Sequence, residues 1–101
     1  MRGSAGRQRA WRKAAKALGL VLPDDGSQIT VRMTLRRIRT ERGPRTGVQV
    51  VLGGWVVGEP PDEDELQRVL KVFDDVGADV IEVEGRVYRG QTGGWNGRVI
   101  V

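Results

Sequence analysis

The side chains best able to do chemistry in this sequence are arginines, and the chemistry they suit is the gripping of phosphate oxygens. Arg32, Arg36, Arg37 and Arg39 follow one another closely, with Arg42 and Arg45 just beyond, and Arg9, Arg12, Lys13 and Lys16 form an earlier group. A guanidinium presents a planar fork that pairs two N–H donors with two phosphate oxygens, and it is less strongly hydrated than an ammonium. Arginine outnumbers lysine eight to two in this set, a bias that favours contact with a polyanion over mere solubility. Thr30 and Thr34, between the arginines, add hydroxyl donors. These ten cations are the candidate nucleic-acid-binding residues. Trp95, set among Gly93, Gly94, Asn96 and Gly97, is a candidate for stacking on a base or for anchoring a protein interface.

The charges are unevenly distributed. Twelve of the seventeen Lys and Arg residues lie in the first 45 positions against three acids, whereas residues 46–101 hold five cations and ten acids; the net charge of +4 conceals halves of +9 and −5. Such a split points to an anionic partner for the first half, with nucleic acid, DNA or RNA, the leading expectation. Two alternatives use the same asymmetry. In one, the acidic half covers a basic protein surface, with Glu82 and Glu84 as the partner-binding residues of an inhibitor or accessory factor of a nucleic-acid enzyme. In the other, oppositely charged halves of separate copies meet in a homo-oligomer.

Catalysis has little to work with. Histidine and cysteine are absent, which removes the usual nucleophilic triads, thiolate metal sites and disulfides. The carboxylates of Asp62, Glu63, Asp64 and Glu65 are explained by capping of a helix start. Asp79, Glu82 and Glu84 offer two acids on one strand face, without the third ligand and placed lysine that a Mg²⁺ nuclease needs. The run Val80-Ile81-Glu82-Val83-Glu84-Gly85 is similar to the glutamate motif of toprim domains, but no Asp-x-Asp motif follows it. A basic hairpin followed by a helix is also similar in outline to a class of small translation initiation factors, although none of their diagnostic motifs occurs. No Gly-rich phosphate loop of a known pattern is present. The sequence is therefore expected to be non-enzymatic, with no metal and no cofactor. No apolar run reaches the ~20 residues that span a bilayer, so an intracellular, cytoplasmic or nucleoid-associated protein without a membrane partner is expected.

The elements that must position the cations can be read from periodicity. At 101 residues the chain has room for a single domain, residues 1–101, with residues 1–5 expected to be disordered or foreign to the native chain. Between Ser4 and Leu18 the cations Arg9, Arg12, Lys13 and Lys16 share one side of a helical wheel and Trp11, Ala14, Ala15 and Leu18 the other, with Gly19 as the stop. Ile29, Val31, Met33 and Leu35 alternate with Thr30, Arg32, Thr34 and Arg36, the pattern of a strand with one apolar and one Thr/Arg face. That alternation breaks at Arg36-Arg37, which predicts a bulge or an overhang. A mobile loop is expected over residues 40–47 and a second strand over Val48–Val57, weakened by Gly53-Gly54. Pro60-Pro61 and the cap Asp62 open a helix carried by Leu66, Val69, Leu70, Phe73 and Val76, and Gly77 closes it. Its last-turn acids Asp74 and Asp75 oppose the helix dipole, so a cation from the hairpin is expected beside them. Strands near Val80–Tyr88 and Arg98–Val101 complete the pattern. The expected fold is α+β: helix, hairpin, helix, hairpin, with both helices on one face of a four-stranded antiparallel sheet.

Overall fold

Residues 1–39 and 46–101 are described by the computed structural model. A 3₁₀ turn at Ala5–Arg7 leads into α1, Gln8–Leu18; β1 (Ile29–Arg39), β2 (Thr46–Leu52) and β3 (Trp55–Gly58) follow, then α2 (Glu63–Val76), β4 (Val80–Arg89) and β5 (Trp95–Ile100). The strands form one antiparallel sheet in the order β3-β2-β1-β4-β5. The α+β class agrees with expectation; the count of four strands does not.

The fifth strand comes from the two glycines. Gly53 and Gly54 both take positive φ, 56° and 87°, the requirement for a two-residue type I′ turn, and Leu52 pairs across it with Trp55. What reads as one interrupted strand over Val48–Val57 is therefore a hairpin, and the first helix is followed by a three-stranded meander rather than a single hairpin. Thr46 and Gly47, expected in the loop, belong to β2; residues 40–45 lie outside the described residues.

Alternation in β1 holds along its whole length. Pairing with β2 runs without a shift from Thr34↔Val51 to Arg39↔Thr46, and with β4 from Ile29↔Val87 to Arg36↔Val80. No bulge occurs, because β1 simply outruns β4, and Arg37 stays on the same face as Met33 and Leu35.

That face holds the core. Met33, Leu35, Val50, Leu52, Val57 and Val87 pack with Trp11 and Ala14 of α1 and with Val69 and Phe73 of α2, all essentially inaccessible. Each large apolar side chain so buried contributes about 1.5–3 kcal/mol. The sheet is not a flat layer beneath two helices: α1 packs against both β3 and β5, the two opposite edges, so the sheet curls around it. Glycine makes the curl possible on the β4–β5 side. A Cβ on Gly97 would stand 2.8 Å from the Arg86 carbonyl oxygen and 3.0 Å from Trp11 Cη2, and one on Gly85 would strike Met33. These two positions form the dent into which the Trp11 ring and Met33 fit. The Trp11 indole N–H has no hydrogen-bond acceptor among the described residues.

The helix ends follow the sequence signals. Asp62 accepts a hydrogen bond from the Glu65 amide at 2.8 Å, and Gly19 and Gly77 close α1 and α2 in the left-handed conformation. Burial pushes the Glu65 carboxyl above its ordinary pKa despite nearby Arg68. Residues 1–5 are part of the fold rather than outside it: Arg2 exchanges backbone hydrogen bonds with Glu59 at 3.0 and 2.9 Å, Ser4 is buried and Met1 packs on the core. Among the described residues no helix is long and apolar enough to cross a membrane.

Candidate nucleic-acid interface

The amphipathic pattern of α1 determines where its charges go. With Trp11, Ala14 and Ala15 buried against the sheet, the opposite side carries Arg9, Arg12, Lys13 and Lys16, all exposed. Every neighbour relation within this set is between like charges. Arg9–Lys13 and Arg12–Lys16 are four apart, Arg9–Arg12 and Lys13–Lys16 three apart, and each such contact costs a helix roughly 0.2–0.5 kcal/mol. No acid occupies the first turn. Among the described residues none of the four forms an ion pair, although Arg2, Arg32, Arg37, Arg86 and Arg89 all do. The helix thus holds an uncompensated positive stripe.

The sheet arginines are elsewhere and differently engaged. Arg32 and Arg36 lie on the outer face of β1, the side of the sheet away from α1, so the helix and strand cations do not share one surface. Arg32 reaches Glu82 on β4 at 3.2 Å, Arg36 donates to Gln49, and Arg86 donates to Thr30 at 2.6 Å and stands 3.9 Å from Glu84. Glu82 and Glu84, the alternative partner-binding pair, thus each face an arginine. These pairs are exposed and contribute little to stability; they offset two of the four arginines on this face, Arg32, Arg36, Arg86 and Arg98, and leave it a smaller positive charge.

Arg37 is not an outer-face residue. It lies on the helix-covered side, its side chain 14% exposed, donating to Asp74 at 2.7 Å and Asp79 at 2.8 Å while its guanidinium sits 5.3 Å from the Phe73 ring centroid. Hydrogen bonds to Asp74 and then Asp79 raise its pKa above an already high ordinary value, so the charge is permanent and internally matched. Arg39 ends β1 opposite Thr46; its side chain, with Arg42 and Arg45, lies outside the described residues.

The tryptophans exchange the roles that their neighbours suggest. Trp95 folds back over the core, its ring parallel to that of Trp11 at 6.1 Å and 11°. Gln8 fixes it: its side-chain amide donates to the Trp95 carbonyl at 2.9 Å and accepts from the Trp95 amide at 2.8 Å, imitating a neighbouring strand. Trp55, flanked by Val56 and Val57 and so easily taken for core, is instead 40% exposed at the start of edge strand β3. Lys13 Nζ lies 4.5 Å from its ring centroid, a cation–π contact worth about 0.5–1 kcal/mol at an exposed site. Trp55 closes a shallow concavity of ≈ 420 Å³ whose other walls are Gly6, Arg7, Arg9, Ala10 and Lys13. Arg7 and Trp55 are the members that sequence reasoning misses. The signal available for Trp55 was the Gly-Gly pair before it, which marks a turn and hence a strand beginning.

Among the described residues no group of three or more acidic side chains is placed to hold a metal ion. No family model, curated protein or solved structure matches the chain.

Proposed function

We propose that this protein is a small nucleic-acid-binding domain that contacts backbone phosphates through the exposed face of α1. The observation that carries this reading is the set Arg9, Arg12, Lys13 and Lys16, four cations on one helical face that repel one another and meet no acid among the described residues. A row of phosphates relieves that repulsion, and release of condensed counterions supplies a sequence-independent driving force. Arg32 and Arg36 lie on the opposite side and are not required by it; Arg37 is excluded by its own partners. A protein partner held through Glu82 and Glu84 is less well supported, since both acids face arginines of this same chain.

The test is a salt titration of binding to a labelled mixed-sequence oligonucleotide, followed by fluorescence anisotropy. Engagement of four or five phosphates gives a log–log slope of about −3.5 to −4.5 on duplex DNA. Replacing Arg12 and Lys16 together by alanine lowers the magnitude of that slope by about 2, whereas replacing Arg32 and Arg36 leaves it in place. Undetectable binding at 50 mM salt overturns the proposal.

A further inference from the structure

We infer that the concavity beside Trp55 receives an unpaired base, so that the domain binds single-stranded nucleic acid in preference to duplex. The inference rests on the phosphate-binding reading of α1 and adds to it a second contact of different chemistry.

Trp55 is held as a platform. The type I′ turn fixes the start of β3, and Gly53 is pressed against α1 so closely that a Cβ there would lie 3.3 Å from Leu18 Cγ and 3.4 Å from the Ala14 carbonyl oxygen. The backbone that carries the indole therefore keeps its position relative to the helix that bears the cations. Around it stand Arg7, Arg9 and Lys13, so that a nucleotide whose base meets the ring has its phosphate beside a guanidinium or an ammonium. An aromatic face with cations along its rim is the composition of surfaces that bind single strands, where bases stack without regard to sequence. Duplex bases are stacked on one another inside the helix and cannot reach a ring on a protein surface, whereas an unpaired base can.

The Lys13 ammonium lies over the ring. The contact belongs to an exposed, flexible lysine, and stacking of a base on an aromatic side chain is the stronger interaction. On binding, the ammonium moves to a phosphate and leaves the ring to the base, so the two contacts replace one that already exists. Stacking on an indole tolerates any base, and the expected preference is for strandedness rather than sequence.

The experiment compares wild type, Trp55→Ala and Trp55→Phe against a labelled mixed-sequence 12-nucleotide strand and the same sequence as duplex, at 50 mM salt. Wild type binds the single strand at least about five-fold more tightly than the duplex, within the range of one stacked base. Trp55→Ala loses that preference while duplex affinity stays within about two-fold, and Trp55→Phe retains part of it. In the wild-type chain, single strand quenches tryptophan emission, and Trp55→Phe removes most of the quenching; this second readout does not depend on Trp55→Ala folding. Equal binding of both forms with Trp55→Ala silent overturns the base pocket and leaves the phosphate reading intact. Binding of neither form overturns both.

Discussion

Arg37 shows how one residue can be a ligand candidate in sequence and a structural clamp in the fold. Its guanidinium joins the ends of three elements: it is carried by β1, it pairs with Asp74 at the last turn of α2, and it reaches Asp79 just before β4. A cation placed there also answers the helix dipole, whose negative end Asp74 and Asp75 aggravate. Arg32, by contrast, is paired with an equally exposed Glu82 and is expected to matter little. Arg37→Ala therefore lowers the midpoint of thermal unfolding by about 5–10 °C, Arg37→Lys by less because it keeps a charge but not the fork, and Arg32→Ala by at most a few degrees. Calorimetry of the three variants checks the order; equal effects for Arg37→Ala and Arg32→Ala would remove the clamp. The need for a cation at this corner was legible from Asp74 and Asp75. Its identity was missed because Arg36-Arg37 looked like a broken alternation, when the odd-numbered position was the informative one. An arginine in the apolar register is a side chain whose stem packs and whose head finds acids at the rim.

At the scale of elements, α1 trades stability for charge. Its apolar side is well served by Trp11, Ala14 and Ala15, and its left-handed glycine stop needs no help, yet its exposed side contains no acid. Arg12→Glu would give a carboxylate four residues before Lys16 and three after Arg9, changing repulsion to attraction at both spacings. The expected outcome is a fold more stable by about 0.5–1 kcal/mol that binds oligonucleotide more weakly, with a salt slope smaller in magnitude by at least about 1. Urea unfolding and anisotropy on the same variant decide the matter: a loss of stability, or unchanged binding, would show that the positive stripe is not a functional compromise. Both helices, the Asp62 cap and the stops at Gly19 and Gly77 were legible because capping chemistry is local, while α1 begins without a side-chain cap. The edge strand β3 was not, since Gly53-Gly54 supports either a weak point within a strand or a turn between two. Only the left-handed backbone at both glycines distinguishes them, and with that choice goes the exposure of Trp55.

Across the whole molecule, the two oppositely charged halves are matched in part within one chain. The antiparallel pairing of β1 with β4 lays the basic half on the acidic half: Arg32 meets Glu82 and Arg37 meets Asp74 and Asp79, while Arg2 meets Glu59. The fold thereby absorbs part of the +9 and −5 imbalance and leaves on α1 a run of four cations that pair with no acid among the described residues. An external polyanion answers the whole stripe at once, whereas a second copy would have to answer it with the acids of its own second half that form no ion pair among the described residues, Asp62, Glu63, Asp64, Glu65 and Asp75. The consequence is measurable by linkage, because a ligand that binds only the folded chain stabilises it by about 2.7 kcal/mol when present at a hundred times its dissociation constant. For a domain of this size that raises the melting midpoint by about 10 °C or more. An oligonucleotide at saturating concentration should produce such a rise at 50 mM salt, lose most of it by 500 mM, and produce little in a variant with Arg9, Arg12, Lys13 and Lys16 replaced by alanine. Self-assembly predicts something different: a midpoint that climbs with protein concentration at low salt and without any ligand. A concentration-dependent midpoint together with no oligonucleotide shift would transfer the positive stripe from nucleic acid to the acidic surface of a neighbouring copy.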